Sequence, residues 1–375
     1  MKIILFPFIF FALTVFTLIG LGHFVVYKSI LIVFNITNIR FINTLRILLS
    51  IGAVSFITAT LFTQLNYTKI GLIFYEGSAI WLGTLYFLFL ASVIILIIFG
   101  INSFFGWSPM VFRIIGIFLY IIAIGFSVYG LINSYQIRTT KYTVFINNLP
   151  ESWNNKNILM FSDSHFGNIR NLNFAKKLVK KINEQNPELV VIAGDYFDGP
   201  KTNSKEIAMS LKDIHTEKGI YFAPGNHEDY GNISEFNSSL SSAGVVILSN
   251  KIVDVDGLQI VGVDYTTGSN NTLLASTLKS LNIVKDIPKI LIKHAPNNLP
   301  VVENSGFDLV LSGHVHNGQV WPGPLLARKI FKEFSYGLNY LNQMSVITSS
   351  GVGTWGPPQR IGTQSEIVLI NLKKK

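Results

Sequence analysis

Four stretches in the first 137 residues each run the thickness of a bilayer without a formal charge, apart from the ring of His23. Lys2 and Lys28 enclose 25 such residues, Arg46 and Lys69 enclose 22, Glu76 and Arg113 enclose 36, and Arg113 and Arg138 enclose 24. A helix needs about 20 apolar residues to cross a hydrocarbon core, so the runs predict four spans, at 4–26, 47–65, 79–99 and 112–131. The longest run leaves room for a loop at 100–109, where Gly106, Trp107 and Pro109 interrupt it. Helices buried in soluble proteins rarely stay apolar around their whole circumference for so long. The first run also exceeds the roughly 7–15 residues of a signal-peptide core, and three more follow it, so an uncleaved helix is expected.

Charge divides the chain at the same place. Residues 1–137 carry six basic side chains and one acidic one, whereas residues 138–375 carry 24 basic and 20 acidic. The overall charged fraction of 14% is therefore the average of an apolar part and an ordinary polar part. The net charge of +9 is spread over both, so no concentrated nucleic-acid footprint is expected. Cysteine is absent, which excludes disulfides, Cys-liganded zinc and Cys nucleophiles together. Lys28, Arg40 and Arg46 cluster between the first two spans, and Arg113 opens the fourth. The positive-inside rule then puts the first and third loops in the cytoplasm. Residues 138–375 are expected on the extracytoplasmic side of the cell (inner) membrane, with the lipid bilayer as a partner.

Beyond residue 138, short β-rich runs alternate with polar, helix-like ones. Strands are predicted at 142–146, 158–161, 189–193, 220–223, 245–248, 258–263, 289–293, 309–311, 345–348 and 366–372. Helices are predicted at 172–185, 204–214, 233–241 and 272–281. Such alternation predicts a layered α/β fold. The expected organisation is a transmembrane domain over 1–137 and an α/β domain over 138–375.

Five of the seven histidines follow apolar strand-like runs, beside Asp, Asn or Gly. Run 158–161 leads into Ser162-Asp163-Ser164-His165, and run 189–193 into Gly194-Asp195-Tyr196-Phe197-Asp198. Run 220–223 leads into Pro224-Gly225-Asn226-His227-Glu228, run 289–293 into His294, and run 309–311 into Gly313-His314-Val315-His316. Ligands of open α/β sheets bind beyond the carboxyl ends of strands, so the five segments can converge. Oxygen and imidazole donors without sulfur suit Mn²⁺, Fe or Zn²⁺ better than Ca²⁺ or Cu⁺. In an extended segment residues two apart point the same way. Asp163 with His165, and His314 with His316, are therefore each expected to offer two ligands on one side.

These blocks, in this order, resemble the calcineurin-like metallophosphoesterase superfamily, and the likeness extends over 158–372. The resemblance implies a two-sheet sandwich flanked by helices, here preceded by the four-helix transmembrane region. It also implies two divalent ions, Mn²⁺ with Fe or Zn²⁺ as alternatives. Asp163, His165, Asp195 and His316 would hold one; Asp195, Asn226, His294 and His314 would hold the other, with Asp195 shared. His227 matches the family histidine that binds phosphate or protonates the leaving group. Glu228 is expected to orient His227, and Asp198 to order its own loop. The reaction implied is in-line attack of activated water on phosphorus.

Arg360 stands in a Gly356-Pro357-Pro358-Gln359-Arg360 segment similar to one in membrane-anchored bacterial members, where it would reach a substrate phosphate. Protein phosphatases of the family carry an Arg shortly after the second block; Gly199-Pro200-Lys201 follows it here, which argues against a protein substrate. The expected function is hydrolysis of a phosphodiester or pyrophosphate in a lipid-linked or cell-envelope phosphoester. A competing reading is a membrane transporter or sensor with a regulatory phosphoesterase-like domain. It is disfavoured because the spans hold almost none of the ionisable groups that transport pathways carry. His23 is expected to be packed or interfacial and His215 to lie on the surface.

Overall fold

The computed structural model describes residues 2–65, 68–199 and 203–375, with side chains from Leu13 onward. Pro200 and Lys201, whose identity argues against a protein substrate, lie outside the described residues. The chain divides into two units, one of Met1–Leu131 with Gly356–Gln359 and one of Ile132–Trp355 with Arg360–Lys375.

The first unit holds α1 (Lys2–Phe34), α2 (Ile39–Leu65), α3 (Lys69–Phe105) and α4 (Pro109–Ser134). All four are long and apolar enough to cross a membrane. Each is longer than its predicted span. Charge marks where a helix leaves hydrocarbon, not where its hydrogen bonds stop, so Lys28 falls inside α1, Arg40 and Arg46 inside α2, and Glu76 inside α3. The loop predicted at 100–109 shrinks to residues 106–108. Gly106 ends α3 at a φ of 62° with its N–H on the Asn102 carbonyl, and α4 restarts on Pro109, whose missing N–H has no partner to lose in a first turn. Polar groups between the helices satisfy one another, as they must where water is absent. Trp81 Nε1 donates to His23 Nε2 (3.0 Å), His23 Nδ1 faces the Ile19 carbonyl (2.8 Å), and Tyr120 donates to Ser29 (2.9 Å). His23 is packed.

The second unit is built on two six-stranded sheets. The first contains β1 (Ile137–Ile146), β2 (Asn157–Phe161), β3 (Leu189–Ala193), β4 (Ile220–Ala223), β5 (Val245–Ile247) and β12 (Ser365–Lys374), in the order β1-β12-β2-β3-β4-β5. The second contains β6 (Lys251–Val255), β7 (Leu258–Gly262), β8 (Lys289–Ile292), β9 (Leu309–Ser312), β10 (Gly337–Leu341) and β11 (Met344–Thr348), in the order β10-β11-β9-β8-β7-β6. β2 through β5 run parallel, and so do β7, β8, β9 and β11. The central strands read as unbroken apolar runs because both of their faces are buried. Alternate residues then serve different cores. Ile158 and Met160 meet Ile290, Ile292, Leu309 and Leu311 between the sheets, while Leu159 and Phe161 face the helix Leu172–Asn183. Leu291 and Val310 pack outward on the helix Asn271–Ser280.

The fold is the expected two-sheet α/β sandwich, with two strands that were not predicted. β6 and β10 are the antiparallel edges of the second sheet. Their residues are half-buried or exposed for most of their length, Lys251, Asp254 and Tyr340 among the exposed ones, so no apolar run marks them. His215 is exposed. The parallel arrangement sets where chemistry can gather. It brings the carboxyl ends of β2, β3 and β4 side by side in one sheet, and those of β8 and β9 side by side in the other.

Candidate metal centre

Three of the five strand ends, those of β2, β3 and β9, turn abruptly where their chemistry begins. Asp163, His165, Asp195, His314 and His316 all have positive φ, between 47° and 70°. Non-glycine residues enter this left-handed region at a cost of about 1 kcal/mol or more, and such strain persists where the surroundings over-determine it. Neither Asp163/His165 nor His314/His316 is the extended pair expected from sequence. The turns are nevertheless tied to one another. Asp163 N–H donates to the Gly194 carbonyl (3.1 Å) and His165 N–H to the Asp195 carbonyl (3.1 Å), joining the β2 and β3 loops. Gly313 N–H donates to the His294 carbonyl (2.7 Å), joining those of β9 and β8. His314 N–H donates to Asp163 Oδ1 (2.9 Å), which links the two sheets' loops, and His227 N–H donates to Asp195 Oδ1 (2.9 Å). Two glycines permit the crowding. Gly194 has a φ of 82° and a Cβ there would strike the His294 ring; a Cβ on Gly225 would strike the Asp195 carboxylate.

Six of the seven predicted donors come together with His227. Ligand atoms of Asp163, His165 and His316 lie within 4.8 Å of one another, as do those of Asp195, His294 and His314, and those of His165, Asp195 and His227. His314 and His316 thus belong to different groups. His294 Nε2 is 3.0 Å from Asp195 Oδ2, His165 Nε2 is 3.8 Å from that same oxygen, and His316 Nε2 is 3.5 Å from Asp163 Oδ1.

Two observations show that this donor set fits cations. His165 Nε2 and His316 Nε2 stand 3.0 Å apart, so lone pairs converge where only a proton or a cation can separate them. Asn226 Oδ1, next in sequence to His227, is buried with no hydrogen-bond donor among the described residues, a costly state for a carbonyl unless an ion or water completes it.

Packed together, these groups shift one another's protonation in both directions. Burial would push the Asp195 carboxyl up, but His294, His165 and His227 outweigh it and hold the group well below the usual carboxylate range. Burial would push His294 down, and Asp195 and Asp163 reverse this, raising it to about 9. Burial and the neighbouring His294 lower His314 to about 4; burial, His165 and Arg360 hold His316 well below its ordinary value. An ionised Asp195 with neutral His314 and His316 is the form in which such groups bind metal, whereas His294 must first give up its proton and burial holds the Asp163 carboxyl above its ordinary range.

Two expectations need correction. Glu228 does not orient His227. It is fully buried, and its carboxylate accepts the backbone N–H groups of Gly225 (2.7 Å), Asp195 (3.0 Å), Tyr196 (2.8 Å) and Phe197 (3.1 Å). It therefore clamps the β3 loop to the β4 loop. Arg360 is not a loop arginine within reach of substrate: none of its surface is exposed. Its guanidinium donates to the carbonyls of Ser350 (2.6 Å), Gly353 (2.7 Å) and Gly351 (3.2 Å), and one Nη lies 3.4 Å from His316 Nδ1.

Asp198 does more than order its own loop. Its Oδ1 is 3.0 Å from His165 Nδ1 and 3.4 Å from His227 Nδ1, and its carbonyl is 3.1 Å from that same Nδ1. It fixes the tautomer of His165 so that Nε2 turns to the cluster. The spacing of the second block was the only sequence signal for this. Asp198→Ala is expected to lower metal affinity about 10–100-fold while the far-UV circular dichroism is unchanged, as titration of the metal-free protein would show. Sequence reading also passed over Lys293, which burial lowers to about 7 and whose Nζ donates to the Ala295 carbonyl (2.6 Å) beside His294.

Comparison with known proteins agrees with this geometry. Residues 156–318 match the family model described as calcineurin-like phosphoesterase. An uncharacterized metallophosphoesterase from Campylobacter jejuni is 35% identical over 67% of this chain and 67% of its own length. One from Aquifex aeolicus is 30% identical over 68% of this chain and 98% of its own. A transmembrane protein with metallophosphoesterase domain from Danio rerio is 30% identical over 66% of this chain and 60% of its own. Together with the convergent strand-end donors, these matches place the chain in the calcineurin-like metallophosphoesterase family.

Proposed function

We propose that the chain is a membrane-anchored, dinuclear-metal-dependent phosphoesterase that cleaves a phosphodiester or pyrophosphate bond in a lipid-linked molecule. The observation that carries this reading is the convergence of Asp163, His165, Asp195, His294, His314 and His316 with His227 from five strand ends, with the unpartnered Asn226 Oδ1 next in sequence to His227. Asp163, His165, Asp195 and His316 would hold one divalent ion, and Asp195, Asn226, His294 and His314 the other. When bound, two such ions neutralise charge on phosphoryl oxygens and lower the pKa of an attacking water. The chain's own part is positioning and proton handling. Asp195 turns Oδ2 to both His294 and His165, and its charge keeps His294 in place. His227 keeps its Nδ1 against Asp198, which leaves Nε2 to bond a phosphoryl oxygen or to protonate the departing one. Glu228 and Arg360 hold the loops rigid from behind.

The lipid-linked class is inferred from the rim. Phe331 lies 6.3 Å from the His314 ring and Trp355 lies 6.4 Å from the His227 ring, measured between centroids. Trp355 is more than half exposed, and so are Trp321, Leu325, Leu326 and Ile330 in the segment that leads to Phe331. Exposed apolar groups beside a binding site mark a surface for an apolar partner, and beside a phosphoesterase site they suit a substrate with an apolar chain. The helix Gly323–Phe331 also carries Arg328 and Lys329, as interfacial helices do.

Purified full-length protein is expected to hydrolyse bis-p-nitrophenyl phosphate with Mn²⁺, to lose the activity in EDTA and to regain it on adding metal. Leu325→Ser/Leu326→Ser should slow turnover of micellar lipid-linked phosphodiesters by about tenfold, the effect of removing a few methylene contacts, and leave the soluble substrate untouched. Activity that survives complete metal removal would overturn the reading.

A further inference from the structure

The hairpin of α1 and α2 lines a cavity of about 500 Å³, a volume within the roughly 300–1,000 Å³ of small-ligand sites. Its two ends differ in chemistry. Lys28 and Arg46 line one end, and Phe16, Gly20 and Val54 the other. The sequence explains the arrangement. Lys28 stands six residues before α1 ends at Phe34, and Arg46 seven residues after α2 begins at Ile39. At 1.5 Å per residue both cations lie about 10 Å from the connecting turn, at one level. Phe16, Gly20, Phe24 and Lys28 recur every four positions, and Arg46, Ser50 and Val54 do the same, so each set forms one stripe along its helix. The cleft therefore follows the helix axes, about 18 Å from Lys28 to Phe16.

Among the described residues neither cation has a carboxylate partner. Arg46 Nε donates to the Tyr27 hydroxyl (2.8 Å) and its guanidinium lies over that ring, while Lys28 Nζ lies 5.6 Å from the centre of the Phe24 ring. Aromatic faces compensate a cation only in part. Two positive charges beside apolar walls favour an anion, and the apolar length behind them favours one with a long hydrocarbon tail. Basic pockets between membrane helices bind anionic headgroups for this reason.

We propose that this cleft is a binding site for one anionic glycerophospholipid, with its phosphate on Lys28 and Arg46 and an acyl chain running past Gly20 towards Phe16 and Val54. The site is separate from the metal centre and stands whether or not the chain turns over phosphoesters.

The test uses full-length protein, delipidated in detergent and kept in EDTA so that hydrolysis cannot remove the probe. Native mass spectrometry should show phosphatidylglycerol retained one to one in preference to phosphatidylcholine. Lys28→Gln/Arg46→Gln should weaken phosphatidylglycerol binding by roughly 25-fold, about fivefold per cation, without changing phosphatidylcholine binding. Val54→Trp fills the apolar end and should weaken phosphatidylglycerol while both cations remain. If the double variant does not fold, Lys28→Gln alone leaves the Arg46–Tyr27 bond intact and should read about fivefold. Equal retention of the two lipids, or phosphatidylglycerol binding unchanged by loss of the cations, would overturn the proposal. So would displacement of the lipid by millimolar inorganic phosphate, which would assign the cations to a soluble anion.

Discussion

Asp195→Asn is expected to reduce hydrolysis of bis-p-nitrophenyl phosphate by about 10³-fold or more, because it strikes the one carboxylate that belongs to two donor groups. The amide is nearly isosteric, but it loses the negative charge and turns one oxygen into a donor. His294 Nε2 at 3.0 Å and His165 Nε2 at 3.8 Å then face a group that cannot share a cation between them. Elemental analysis should show a fall in bound metal that parallels the lost rate. Breaking a buried ion pair by removing one partner costs about 3–5 kcal/mol, so the variant's fold must be checked by circular dichroism. His314→Ala provides the independent arm, since His314 is partly exposed and makes no ion pair among the described residues. A rate within threefold of the parent in both variants would remove the basis for a metal-dependent reaction at this site.

The second large effect is on stability. Arg360→Met should destabilise the α/β unit by about 3–5 kcal/mol, the size expected when a buried hydrogen-bonded charge is removed and its acceptors are left without donors. The carbonyls of Ser350 and Gly353 take their donor from this one guanidinium, and that of Gly351 shares it with the Glu366 N–H. Burial and the nearby Arg170 lower Arg360 to about 10, which still leaves it charged at neutral pH. For a unit of this size each kcal/mol moves Tm by about 2–4 °C, so a drop of roughly 6–20 °C is expected by calorimetry of the metal-free protein. Arg360→Lys keeps the charge but not the planar fork of donors, and should recover only part of the loss. An unchanged Tm for Arg360→Met would show that water replaces the lost donors.

Much of this molecule is legible in its residue order. The four apolar helices followed from runs without charge, and ten of the twelve strands from apolar runs bounded by polar loops. The two strands missed, β6 and β10, sit at sheet edges, where one face meets solvent and the hydrophobic signal is diluted. The candidate donors that cluster were legible as well, since motif order and spacing are properties of the chain itself. Its local geometry was not. Asp163, His165, His314 and His316 were expected on extended backbone, whereas each adopts positive φ, a state no residue pattern announces for Asp or His.

Glu228 and Arg360 show where sequence reasoning stopped. Both were read as reaching forward, Glu228 to His227 and Arg360 to substrate. Both reach backward instead, Glu228 onto four backbone N–H groups and Arg360 onto carbonyls. A charged side chain looks for whatever desolvated partner the fold places beside it, and adjacency along the chain says little about that. Residue order alone determined which segments must leave water and which donors stand at strand ends, because hydrophobic period and spacing are local. Only the tertiary structure decided which nitrogen faces which oxygen, and which charges are sealed behind the site. Those pairings join residues far apart in the chain, and packing in three dimensions selects them.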